Sequence, residues 1–129
     1  MLMEMGHGDE IVIGDGNFPS AACAKRLVRC DGHGVPELLD AILGMFPLDA
    51  YHDRPVALMA VAGCDAETTP AIWGAYEEIL HRHEPENSKI EYVERFSFYD
   101  RAKDAYAVVA TGESAIYANI ILKKGVVTE

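Results

Sequence analysis

Cysteine is scarce in this chain. There are three in 129 residues, Cys23, Cys30 and Cys64, an odd number with no CxxC pair. That usage argues against a disulfide framework and for a reducing compartment, the cytoplasm. Long apolar runs are missing too: none approaches the roughly 18–20 residues needed to cross a bilayer. The opening Met1-Leu-Met-Glu-Met5 is too short for the apolar core of a signal peptide. Basic residues are few, 11 against 21 acidic, for a net charge of −10. This balance argues against nucleic acid and anionic membranes as partners. The chain also lacks HExxH, GKS and GKT motifs, and neither Gly6-x-Gly8 nor Gly14-x-Gly16 completes a dinucleotide fingerprint. No internal repeat, low-complexity tract or linker is present.

What remains is an ordinary folded composition, half hydrophobic and 25% charged. Its length suits a single domain over residues 1–129 with a core of its own. The β-branched run Ile11-Val12-Ile13 predicts a short buried strand. A helix is expected over 20–26, a strand over 27–30 and a turn over 31–34. Pro36 suits the first turn of a helix. Leu38, Leu39, Ile42, Leu43 and Phe46 then recur at helical spacing up to Pro47. The continuous apolar run 55–62 predicts a central strand covered on both faces. Thr69-Pro70 opens a helix with Ile72, Trp73, Tyr76, Ile79 and Leu80 on one stripe. A strand over 89–94, a helix over 96–105 and strands over 106–110 and 116–122 complete the pattern. Alternating strands and helices predict an α/β domain with a mixed, mainly parallel sheet.

Chemistry concentrates at the start, in Met5-Gly-His-Gly-Asp-Glu-Ile-Val-Ile-Gly-Asp-Gly-Asn-Phe-Pro19. His7 lies between two glycines, which leave its imidazole unshielded. A positioned imidazole gives or takes a proton at neutral pH; the bland alternative is a turn histidine bonded to its surroundings. Asp15 follows the first strand, where α/β proteins commonly hold ligands, although an Asx turn or a helix cap explains it equally. Asp9 and Glu10 point to opposite faces of a strand, so at least one is structural. His7, Asp9 and Asp15 offer a possible metal site, and His81 with His83 two more ligands, but residues two apart on a helix do not face each other; no metal is expected. The cysteines, without basic neighbours, read as packing residues. Tyr117 and Asn119, alternating in the expected last strand, would share a face and could hydrogen-bond hydroxyl groups. Arg95 either binds a polar ligand or pairs with one of the many carboxylates.

Taken together, MGHGDEIVIGDGNFP at 5–19, LVRCDGHGVPELLDAIL at 27–43 and ERFSFYDRAKDAYAVVATGESAIYANIILKKGV at 94–126 resemble the fucose mutarotase/ribose pyranase family of sugar-ring isomerases. The resemblance covers nearly the whole chain, in matching order and spacing. Arg95, with FYDRA at 98–102, is similar to the fucose-type branch, since the ribose-type branch would carry histidine there. It implies a three-layer α/β/α sandwich in a ring-shaped homo-oligomer, typically a decamer, with sites completed by a neighbouring subunit. It also implies a monosaccharide substrate, L-fucose first among the candidates, and no metal or organic cofactor. By matching motifs, His7 would be the catalytic proton donor, with Tyr117 assisting. Asp15, Arg95, Tyr117 and Asn119 would bind the sugar. Relatives carry a helical segment ahead of MGHGDE where this chain has only Met1 to Met5; its absence would expose apolar surface or weaken assembly without removing a matched site residue. Gly16, where alanine is common, is a smaller departure. Two other readings stand beside this one: a non-catalytic sugar-binding module using the same pocket, and a metal-dependent hydrolase or isomerase using His7 and Asp9.

Overall fold

A computed structural model describes residues 2–61 and 69–127. The end of the expected strand 55–62, at Ala62, and the packing role expected of Cys64 lie outside the described residues.

After a 3-10 turn at Leu2–Glu4, the elements run β1 (Glu10–Gly14), α1 (Ser20–Cys23), β2 (Leu27–Cys30), α2 (Val35–Leu43), β3 (Val56–Met59), α3 (Ala71–His83), β4 (Ile90–Val93), α4 (Arg95–Asp104), β5 (Ala107–Thr111) and β6 (Ile120–Lys123). The six strands form one sheet in the order β2-β5-β1-β6-β3-β4. β2, β5 and β1 pair in parallel, as do β3 and β4. β6 runs antiparallel to both β1 and β3, so it is the reversed strand in a mostly parallel sheet.

Strand periodicity then builds three layers. Alternate side chains leave opposite faces of a sheet. Ile11, Ile13, Leu58, Ile120 and Leu122 pack with Leu39, Leu43, Tyr76 and Leu80 of α2 and α3. Val12, Ala57, Val108 and Ile121 pack with Cys23, Phe98 and Ala102 of α1 and α4. The two sides are the α/β/α sandwich expected, and the central strands β1, β3 and β5 are apolar on both faces because both are covered.

The helices stop earlier than their apolar spacing suggests. The helix expected over 20–26 ends at Cys23, and Ala24 is already extended, with φ −74° and ψ 131°. The chain must enter β2 by Leu27, which pairs with Val108, and α1 has no capping side chain to hold it longer. α2 ends at Leu43 before Gly44, yet Phe46 is buried in the same core from the turn beyond. Apolar spacing records burial, and burial outlasts the helix. α4 begins sharply because Glu94 accepts hydrogen bonds from the Phe96 and Ser97 N–H groups, both 3.0 Å. This cap fixes Arg95 in the first turn, directly after β4.

Candidate active site

Where the parallel strands end, at their carboxyl edge, the chain opens a cleft of about 350 Å³. The ends of β1, β3 and β4 and the entry to β6 border it. Asp15, Arg95, Tyr117 and Asn119 line it together. A more open groove of about 480 Å³ along β4, lined by His52, Asp53, Arg54, Ile90, Glu91 and Tyr92, brings none of the sequence candidates together.

Asp15 is 6% exposed. Its Oδ1 accepts the Asn17 N–H at 2.9 Å, the Asx turn anticipated from Gly14-Asp-Gly16. Burial pushes its carboxyl above the usual range, against the backbone N–H groups of Asn17, Ala118 and Phe18, and the Glu113 charge adds to the rise. The charged form is therefore under-solvated, and a ligand hydroxyl would supply a missing donor. The Asp15 N–H in turn donates to Asn119 Oδ1 at 2.7 Å. That bond orients the Asn119 amide and leaves its NH2 donors for other use. Arg95 stands exposed at the mouth with its guanidinium 4.9 Å from the Phe96 ring centroid. Among the described residues it makes no ion pair, so the pairing with a carboxylate that competed with ligand binding is not realised there.

Tyr117 and Asn119 are together, but not for the reason the sequence suggests. The strand expected over 116–122 begins only at Ile120. Tyr117 sits in a turn with φ +54°, a left-handed conformation that costs an L-residue roughly 1–2 kcal/mol. Hydrogen bonds offset that cost: Trp73 Nε1 donates to the Tyr117 carbonyl at 2.8 Å and the Tyr76 hydroxyl to the Ala118 carbonyl at 2.6 Å. Strand alternation is thus replaced by a clamped turn.

Sequence reading missed the cleft's apolar wall. Phe18, Met59, Tyr99 and Ile116 also line it, with the Phe18 ring 5.8 Å from Tyr99 and 6.2 Å from Phe98. A lining that mixes polar groups with aromatic and aliphatic side chains suits a small amphipathic molecule.

His7 is elsewhere. It precedes β1 whereas Asp15 follows it, and the five residues of that strand alone span about 16 Å. Its Nε2 donates to Asp49 Oδ1 at 2.9 Å, and the Tyr51 ring lies 5.4 Å away. Asp49 is buried and also accepts the Tyr51 N–H at 3.0 Å. Burial pushes its carboxyl up, but the His7 ring, the Tyr51 N–H and the Lys123 charge outweigh that and hold it below the usual range. An ionised Asp49 keeps the proton on His7 Nε2 and leaves Nδ1 as the basic nitrogen of the neutral ring. Asp49 was not anticipated; a lone aspartate after Pro47-Leu48 was its only signal.

The other acidic residues near His7 are structural. Asp9 Oδ2 accepts the Gly6 N–H at 2.8 Å. Glu10 takes Arg101 Nε on both oxygens at 3.1 Å. The metal grouping of His7, Asp9 and Asp15 does not form, because β1 separates its members. Among the described residues no cluster of three or more His, Cys, Asp or Glu side chains is suited to a metal ion. No helix among them is long and apolar enough to cross a membrane.

Residues 1–127 match the RbsD / FucU transport protein family. The chain belongs to that family. A crystal structure of the fucose mutarotase from Streptococcus pneumoniae in complex with L-fucose superposes with a TM-score of 0.93 at 55% identity, covering 98% of this chain and 89% of that one. The fucose mutarotase of Homo sapiens is 49% identical over an alignment that covers 97% of this chain and 84% of that protein. The structure of Bacillus subtilis RbsD complexed with D-ribose is more distant, with a TM-score of 0.69 at 26% identity, covering 98% of this chain and 89% of that one. The family fold, a three-layer sandwich on a mixed sheet, is the fold observed here.

Proposed function

We propose that this chain is an isomerase, a monosaccharide mutarotase that interconverts the α and β anomers of L-fucose or a related sugar. The carrying observation is the convergence of Asp15, Arg95, Tyr117 and Asn119 on one cleft at the carboxyl edge of the sheet. A relative 55% identical is described in complex with L-fucose, and a more distant one with D-ribose, which supports a sugar as the occupant.

Anomer exchange opens the hemiacetal ring. A base takes the proton of the anomeric hydroxyl while an acid protonates the ring oxygen, the C–O bond breaks, the aldehyde turns and the ring closes on its other face. When both transfers are concerted, little charge accumulates, so the route uses no metal or organic cofactor. General acid–base help of this kind is typically worth about 10²–10⁴-fold. His7 exchanges the proton through Nδ1, oriented by Asp49, and Tyr117 assists at a second sugar oxygen. Asp15 and Asn119 hold hydroxyls, and Arg95 closes the mouth.

His7 and the cleft lie at opposite ends of β1, so within one protomer the histidine does not reach the sugar. In this reading a second copy supplies His7, the chain is a single domain in a homo-oligomer with shared sites, a decamer by the family resemblance, and it works in the cytoplasm on a small-molecule sugar. The separation also favours a second reading, a sugar-binding module that does not turn over, because one protomer holds the binding groups without the imidazole.

Saturation-transfer NMR on L-fucose separates the two. Wild type should accelerate α/β exchange and His7→Ala should not, while both keep the same fold by circular dichroism. Binding without acceleration by wild type would establish the module instead, and near-normal exchange in His7→Ala would remove the histidine from the chemistry.

A further inference from the structure

Two side chains of α3 grip the turn that carries Tyr117 and Asn119, and neither lines the cleft. Trp73 Nε1 and the Tyr76 hydroxyl donate to consecutive carbonyls, those of Tyr117 and Ala118. These carbonyls precede β6, whose ladder with β1 and β3 begins at Ile120. Trp73 is 9% exposed and Tyr76 is fully buried. A phenylalanine would fill the Tyr76 site equally well; what tyrosine adds is one polar atom, expensive in that place unless bonded. Both carbonyls are thereby satisfied by side chains of a single helix.

We propose that Trp73 and Tyr76 are positioning residues of the sugar site, holding Tyr117 in its left-handed conformation and so aiming the Tyr117 phenol and the Asn119 amide into the cleft. The proposal rests on the reading of that cleft as a sugar site. Without the two donors the carbonyls turn toward water and the turn relaxes to negative φ. Tyr117 then swings, and Asn119 is drawn off the Asp15 N–H it accepts at 2.7 Å. One helix thus sets Asp15, Tyr117 and Asn119 together, because Asp15 is tied to the same turn.

The test is Tyr76→Phe, which deletes only the hydroxyl, compared with Leu80→Val. Leu80 is a fully buried residue of the same helix with no bond to the turn. Exchange of L-fucose anomers is measured well below the melting temperature of each variant. Tyr76→Phe should lower kcat/KM about ten- to a hundredfold, the scale expected when a group is misplaced by about 1 Å. Leu80→Val should lose stability yet keep wild-type kinetics per folded molecule. Trp73 is the sole tryptophan of the chain, so its indole N–H resonance reports the turn directly: it should shift in Tyr76→Phe and stay put in Leu80→Val. If Tyr76→Phe does not fold, Trp73→Phe makes the same test at the neighbouring carbonyl. Wild-type kinetics in a folded Tyr76→Phe, or an equal kinetic loss in Leu80→Val, overturns the proposal. A wild type that does not accelerate exchange overturns the mutarotase reading instead, before any variant is compared.

Discussion

Asp15 concentrates the electrostatics of the cleft in one side chain. Burial raises its pKa in the folded chain above the ordinary 3.8, so the native state holds this proton more tightly than the unfolded chain does. Its contribution to stability is then complete below 3.8 and is lost as pH rises through the raised value. Sugar binding runs the other way if the ionised carboxylate accepts a hydroxyl. Fucose affinity should weaken as pH falls through the raised pKa, at a higher pH than an ordinary aspartate would impose. The difference in melting temperature between wild type and Asp15→Asn, in which the opposite contributions of Asp40, Asp49 and Glu94 cancel, should therefore shrink as pH rises, while wild-type fucose affinity should grow. An affinity with the same pH dependence in Asp15→Asn would remove Asp15 from the binding role. His7 and Asp15 were legible as candidates because glycine neighbours and the end of a short β-branched strand mark them. Asp49 was not, because it meets His7 across 42 positions of sequence and only folding brings the two together.

At the level of elements, the turns are as constrained as the strands. The turn after β5 packs against the turn after β2: a Cβ at position 112 would collide with the Asp31 carbonyl oxygen. The contact is backbone, so no side chain can move aside. Gly112→Ala should therefore cost at least the ~1–3 kcal/mol typical of overpacking, read as a fall in melting temperature. A stability equal to wild type would show that the two turns separate freely. Glu113, next in the chain, makes this junction matter to the site. Its Oε1 accepts the Val35 N–H at 3.1 Å and its carbonyl accepts the Gly16 N–H at 2.8 Å, linking the start of α2 to the turn of Asp15. Strand and helix placement was readable from apolar period in nearly every element, as Ile11–Ile13 and the Trp73–Tyr76–Leu80 stripe illustrate. The failures share a cause. Residues 116–119 look like the first half of a strand, yet hydrogen bonds from Trp73 and Tyr76 hold them in a turn. Residues 24–26 look helical, yet pairing of β2 with β5 draws them out straight. Local pattern carries no record of which distant donor will claim a carbonyl.

Across the whole molecule, the sheet divides the chemistry between its two ends. The carboxyl edge holds the cleft of Asp15, Arg95, Tyr117 and Asn119, and the opposite end holds the His7–Asp49 pair. A single chain cannot bring them together across the length of β1, whereas the proposed heterologous contact, in which one end of a protomer meets the other end of its neighbour, would join them in every copy of a closed ring. The His7 surface, with Tyr51 84% exposed beside it, is the end that would enter the neighbour's cleft.

Subunit complementation tests the proposed shared site most directly. His7→Ala and Asn119→Ala are each expected to lose anomer exchange as pure homo-oligomers. Co-expressed in equal amounts, they should form mixed rings in which about one site in four joins an intact His7 to an intact cleft, and saturation-transfer NMR on L-fucose should recover exchange near a quarter of the wild-type rate. Mixed assemblies as inactive as either parent would contradict the account and place every working group of the site within one chain.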